Sequence, residues 1–273
     1  AKQGGPWGYR SDTLHVVFAA WLGVRMEPRE NAARSRDMDN GTKPEPDRRR
    51  TARLLRGFDR AVARTRDFLE SRYGPSLAAS LAAEARQEFA RLAPAIPDLQ
   101  GRQPFTQFVT ATGWFLAFHR VLTAHGKPVR EAGEFAYALT ARYVESLPRV
   151  VVWLVYRIWF SKFFQARARR GAKRSQQRRG SGDFVFEYVE SDAQRFDFGI
   201  DYVECAVWSF LKAQGAPELT PYICALDKLY SDRFGWGLVR TATLGEGGVR
   251  CDFRFKRGGR TAITSSVLPL QER

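Results

Sequence analysis

Histidine is almost missing from this sequence, with three in 273 residues, and cysteine and methionine are nearly as scarce at three and two. His15, His119 and His125 show no metal-ligand spacing, and none is close in sequence to a cysteine. A histidine-built metal centre is therefore not legible, and a Cys–His pair would need tertiary contact. His119, inside "GWFLAFHRVL", reads as a core histidine with a hydrogen-bond partner. No glycine-rich phosphate loop follows a strand and no dinucleotide fingerprint is present, which argues against a nucleotide cofactor; none is expected. Three thiols at 205, 224 and 251 cannot all pair and do not resemble a secreted disulfide framework, so the cytoplasm is the expected compartment. Long apolar runs are also lacking. "LHVVFAAWLGV" (14–24) is too short to span a bilayer and has no small-x-small cleavage site, so it reads as a weak apolar anchor onto the domain.

Acid is absent altogether from residues 146–182, a stretch that carries ten positive charges out of a formal net charge of +15. The basic character is thus local, and no nucleic-acid recognition motif accompanies it; nucleic acid is not expected as a partner. The apolar part, Val150 to Phe164, is interrupted by Arg157 and Lys162 and cannot span a membrane. A buried helix followed by a solvated basic loop is the first reading; peripheral contact of segment 149–179 with a membrane surface is the second.

What is present is enough apolar material for a real core: 44% of residues are apolar and 13% aromatic. Residues 1–47 are rich in Gly, Pro, Arg, Asp and Asn and read as a flexible extension. Residues 48–262 read as one α+β domain, and 263–273 as a frayed tail. The apolar period is helical from 48 to Gly74-Pro75, with Leu55, Phe58, Val62, Thr65 and Leu69 on one face, and again over about 76–92, 104–124, 129–146 and 149–168. Period two appears in "FVFEYVE", two short helices follow at about 202–214 and 220–231, and "LVRTATL" and "VRCDFRFK" form a hairpin. An N-terminal helical half followed by a small antiparallel sheet with two inserted helices is the predicted architecture. Oligomeric state is not legible.

Chemistry concentrates late in the chain, where every thiol has a carboxylate for company: Glu204-Cys205, Cys224 with Asp227, and Cys251-Asp252. Asp201 is placed to cap the helix "YVECAVWSFLKAQ", and Thr220-Pro221 to open "YICALDKLY". Each start sets a cysteine in a first turn, where the helix dipole favours a thiolate, with Lys212 or Lys228 adding to it. Cys224 and Asp227, three residues apart, share a helix face and are the leading catalytic pair; Cys205 with Glu204 and Lys212 is the other. Cys251 alternates with Val249, Phe253 and Phe255 on the inward side of a strand, as a structural or pocket-lining group. A Cys-Cys-Cys-Asp zinc site is the competing reading, but spacings of 19 and 27 provide no tight pair, and no metal is expected. Arg240 shares strand parity with Leu238, so it is an inward cation in need of a carboxylate from the protein or from a substrate.

The run "FDFGIDYVECAVWSFLKAQGAPELTPYICALDKLYSDRFGWGLVRTATLGEGGVRCDFRFKRG" (196–258) resembles the signature of the L-2-amino-thiazoline-4-carboxylic acid hydrolase family. The shared pattern comprises Cys205, the Gly215-to-Glu218 turn, Cys224, Asp227, Arg240-Thr241, Gly247, Cys251 and Phe253, and it continues more loosely upstream to about residue 85. The resemblance implies hydrolysis of a small cyclic amidine without a cofactor. Arg240, Thr241, Cys251 and Lys212 are then candidates for holding the substrate. More distantly, the two helices and hairpin resemble the ligand-binding fold of 4-vinyl reductase domains, which implies a non-catalytic small-molecule sensor as the alternative.

Overall fold

Helix α1, Arg48–Arg64, buries Phe58 and Ala61 on one face and ends where the Thr65 hydroxyl turns back onto the carbonyls of Ala61 and Val62, 3.2 Å from each. That back-bonding breaks what the sequence pattern presents as one helix to residue 73, and α2, Arg66–Tyr73, starts anew. Gly74, at φ 76°, then makes a turn that a side chain would strain, and Pro75 opens α3, Pro75–Leu92. Ala78, Leu81, Ala85, Phe89 and Leu92 give α3 a continuous buried stripe. Helices α4, Phe105–Ala124, and α5, Val129–Glu145, complete the helical half. The structure is a computed structural model and describes residues 48–97, 105–178 and 183–270. The extension 1–47, including the apolar stretch 14–24, lies outside them.

One aromatic column holds these helices together. Phe58 stacks on Phe89 and on Phe118, with centroids 5.2 and 5.8 Å apart, and Phe118 meets Phe135 at 3.9 Å. All four rings are fully buried, and each contributes on the order of 2 kcal/mol from burial alone. His119 is buried at the rim of this core, with Nε2 2.8 Å from Glu218 Oε1, as its sequence context suggests.

The single helix expected over 149–168 is two. Helix α6, Arg149–Trp159, stops at Phe160, and Ser161 caps α7, Lys162–Ser175, its hydroxyl accepting from the Phe164 amide at 3.1 Å. Much of the expected basic loop is therefore helical. Five strands follow: β1 Val185–Val189, β2 Phe198–Glu204, β3 Leu238–Arg240, β4 Cys251–Phe255 and β5 Ala262–Ile263, in the order β1-β2-β4-β3-β5. All neighbours are antiparallel except β3 and β5, so the sheet is mixed rather than antiparallel. Three helices, not two, lie between β2 and β3: α8 Ala206–Ala213, α9 Thr220–Ala225 and α10 Asp227–Phe234. The sheet has its own core. Trp159 of α6 stacks on Trp236 at 4.3 Å and meets Phe255 edge-on at 4.9 Å, while Phe198 packs beneath. Within the described part of the expected tail, Leu270 is buried and the Ser266 amide donates to Glu246 at 2.7 Å.

The two cores meet at the inserted helices. Phe210 and Leu211 of α8 belong to the helical core, and Tyr222 of α9 lies against Gly133 of α5 so closely that a methyl group there would fall 2.1 Å from the ring. The seam between helical half and sheet is where the thiols sit.

Candidate functional site

The N-cap expected at Asp201 does not form, because residues 198–204 extend and pair with β4 in the register Phe198–Phe255, Ile200–Phe253, Tyr202–Cys251. Sheet pairing on both sides of β2 outweighs a local cap signal. Cys205 consequently becomes the N-cap of α8 instead of a residue inside its first turn. Removal from water pushes its thiol up to about 12, although the amides of Trp208 and Val207 pull the other way. Desolvation of the sulfur outweighs the pull of the helix N-terminus.

The second expected helix is also interrupted. Thr220 lies inside α9 rather than capping it, fully buried, and its hydroxyl has no hydrogen-bond partner among the described residues. Cys224 falls in the last turn of α9, and Asp227 becomes the first residue of α10, after a break at Leu226. Burial drives the Cys224 thiol well above its ordinary value, and the nearby Cys205 and Asp227 add to the shift while Arg240 opposes it. Gly245 lies over this corner: a methyl group on it would come within 2.4 Å of the Thr220 methyl and 3.6 Å of Cys224 Sγ.

Arg240 is the inward cation that strand parity predicts. Leu238 and Arg240 are 1% exposed, while Val239 between them is 40% exposed. Nη1 of Arg240 donates to the Cys224 carbonyl at 2.9 Å and to Asp227 Oδ2, so a protein carboxylate does meet it, and that carboxylate is Asp227. The guanidinium is stacked over the Phe253 ring at 5.5 Å. Its other two nitrogens, Nε and Nη2, are buried and have no partner among the described residues. They form one edge of the planar group, spaced to match both oxygens of a carboxylate. Asp227 remains 32% exposed at the pair's outer end, and partial burial raises its acid to about 6 against the pull of Arg240.

Cys251 opens β4 beside Tyr202; its sulfur accepts from the Leu244 amide at 3.2 Å, and burial raises this thiol too. Burial also raises the Tyr202 phenol, with further upward pushes from Asp227, Cys205 and Cys251. All three cysteines, Arg240 and Tyr202 thus lie within electrostatic reach of Asp227. Among the described residues no three His, Cys, Asp or Glu side chains are grouped as ligands of a metal ion.

Several expected participants are elsewhere. Glu204 is paired with Arg178, and Lys212 is exposed, over the Trp208 ring at 5.8 Å. Lys228 pairs with Asp232 at 2.5 Å, and Thr241 is exposed with its amide and hydroxyl both held by Asp252, at 2.8 and 2.5 Å. Val249, expected inward beside Cys251, is 85% exposed. Conversely, Tyr202 and Gly245 belong to the site and were not singled out by sequence, and Thr220 was read only as a helix cap. The alternation of "FGIDYVE" is the signal that places Tyr202 on a strand.

This is an α+β protein whose sheet carries a buried, half-satisfied guanidinium at the seam with a helical half. The profile of the L-2-amino-thiazoline-4-carboxylic acid hydrolase family matches residues 117–255, half of the sequence, and the chain belongs to that family. The match begins at α4, later than the resemblance to residue 85 suggests, and takes in every residue of the cluster. No curated protein and no solved structure matches the chain. Among the described residues no helix is long and apolar enough to cross a membrane.

Proposed function

We propose that the chain opens the ring of a small, carboxylate-bearing cyclic amidine of the 2-amino-thiazoline-4-carboxylate type, with Arg240 holding the carboxylate and Asp227 moving the proton. The supporting observation is the unpartnered Nε/Nη2 edge of a buried guanidinium whose Nη1 is already committed to Asp227. One cation shared between the two anions brings the substrate ring beside the carboxylate that acts on it.

In the reaction, water adds to the amidine carbon between nitrogen and sulfur, the carbon–sulfur bond breaks, and the ring sulfur leaves as a thiol. One water is consumed, and the product is N-carbamoyl-cysteine. Asp227, with its acid near 6, is ionised at neutral pH, takes the proton of the attacking water and returns it to the departing sulfur. A covalent route is the second reading: Cys224 gives its proton to Asp227, Sγ attacks the amidine carbon with loss of the ring sulfur, and water then frees the enzyme. The upward shift of the Cys224 thiol favours water as the attacking group.

The test is to incubate purified protein with 2-amino-thiazoline-4-carboxylate and count thiols released against substrate consumed. Equal numbers are expected, with Cys224→Ala retaining at least about a tenth of the rate. Abolished turnover in folded Cys224→Ala would establish the covalent route. Saturable binding across a panel of cyclic amidines with no thiol release would leave a sensor domain.

A further inference from the structure

Five of the cations in residues 146–182 fall into two groups. Arg169 and Arg178 turn toward the sheet and pair with Glu190 and Glu204. Arg167, Arg170 and Arg174 take the other side of α7 and have no acidic partner among the described residues; Arg170 reaches only its own helix carbonyl at Ala166. Spaced by three and four residues, these three continue a line that begins at Phe163, so one exposed stripe of α7 starts apolar and becomes purely cationic. Phe163 is 58% exposed. On the preceding helix, α6 presents Val150 at 62% and Trp153 at 56% exposure, with the Arg157 guanidinium over the Trp153 ring at 5.8 Å. Burying Val151, Val155 and Trp159 on the opposite side leaves these groups no part in the core.

We propose that the exposed faces of α6 and α7 dock the protein onto an anionic lipid bilayer, with Trp153, Val150 and Phe163 entering the interface and Arg167, Arg170 and Arg174 meeting the headgroups. The charge excludes a second copy of this chain as occupant, because two such faces would bring only like charges together. It fits a surface of anionic headgroups, each arginine adding about five-fold to partitioning. The apolar residues decide between lipid and nucleic acid: Val150 offers nothing to a phosphate chain or a base edge, whereas aliphatic and aromatic groups flanked by arginine are what an interfacial helix inserts.

Flotation of the full chain with vesicles tests this. At low salt, vesicles of phosphatidylcholine with about a third phosphatidylglycerol should carry the protein, pure phosphatidylcholine vesicles should not, and salt near 0.5 M should release most of it. The triple variant Arg167→Gln, Arg170→Gln, Arg174→Gln should lose about 100-fold in partitioning. Trp153→Ser with Phe163→Ser should weaken binding while leaving its salt dependence, and brominated acyl chains should quench tryptophan emission in the parent but less in Trp153→Phe. All substitutions are at exposed positions, and circular dichroism checks that each variant keeps its fold. Absence of binding to the anionic vesicles, equal recovery on neutral vesicles, or unchanged partitioning of the triple variant would overturn the proposal. An oligonucleotide bound through the same arginines with vesicles ignored would overturn it in favour of nucleic acid.

Discussion

The sheet contains two arginine–carboxylate clusters built in opposite senses. Around Asp201 the carboxylate is the buried partner, 4% exposed at its side chain, and both its oxygens accept from Arg254 and Arg250, which reach water with 24% and 49% of their surface exposed. Around Arg240 the cation is buried and the carboxylate faces outward, with two donors on the cation left over. A closed cluster costs desolvation and returns it in hydrogen bonds; its purpose ends with the fold. An open one leaves a standing deficit that a ligand of the right shape relieves. Both places pair arginine with aspartate, so the direction of burial and the unfilled edge carry the distinction.

The comparison breaks most visibly if the carboxylates are exchanged for amides. Asp227→Asn should lower kcat by about 1,000-fold, the loss of a general base, with little change in the denaturation midpoint. Asp201→Asn should do the reverse, keeping kcat within a few-fold while costing about 1–3 kcal/mol of stability, read from urea melts. If Asp227→Asn stays active, Asp227 is as structural as Asp201.

The arginines give the next largest effect. Arg240→Lys removes the two-donor edge and should raise KM for the carboxylated substrate about 100-fold, but leave it within a few-fold for the corresponding carboxamide; Arg254→Lys should change neither. A smaller, graded effect comes from pH. With the Asp227 acid at about 6 and the ionised form as base, kcat/KM should fall tenfold per unit below that value. The same upward shift from 3.8 means that Asp227 favours the folded state when protonated. That contribution is fully present below about pH 4 and lost as pH rises through about 6, so stability measured there should decline while activity climbs. The smallest change probes packing alone: Gly245→Ala sets a methyl group against Thr220 and should cost about 1–3 kcal/mol, read from urea melts.

Local signals in the chain gave good account of themselves wherever the structure is local. Gly74-Pro75 stops and starts a helix, Gly215 follows α8, and the alternation of Leu238, Val239 and Arg240 becomes buried, exposed, buried. The clustering of all three thiols with Asp227 and Arg240 was legible as proximity in sequence, because the whole site comes from β2 to β4. What failed depended on partners far along the chain. Asp201 has the chemistry of a cap, yet β4 fifty residues later claims it for a strand. A two-residue β5 has no pattern of its own and exists only because Val239 and Arg240 supply an edge to pair with. Thiol acidity was misjudged for a related reason: helix position is visible in sequence, whereas the desolvation that outweighs it is set by everything packed around the sulfur.

The raised thiols have a consequence for compatibility with the proposed product. Each turnover of the proposed reaction would release a free thiol close to three cysteines, and traces of that product oxidised to its disulfide would be a standing source of mixed disulfides with the enzyme. Attack on such a disulfide needs a thiolate, and burial keeps Cys205, Cys224 and Cys251 protonated at neutral pH. On the proposed reaction the cluster would therefore meet reactive sulfur without being trapped by it, an inertness to redox surroundings that a thiolate-lined site would lack.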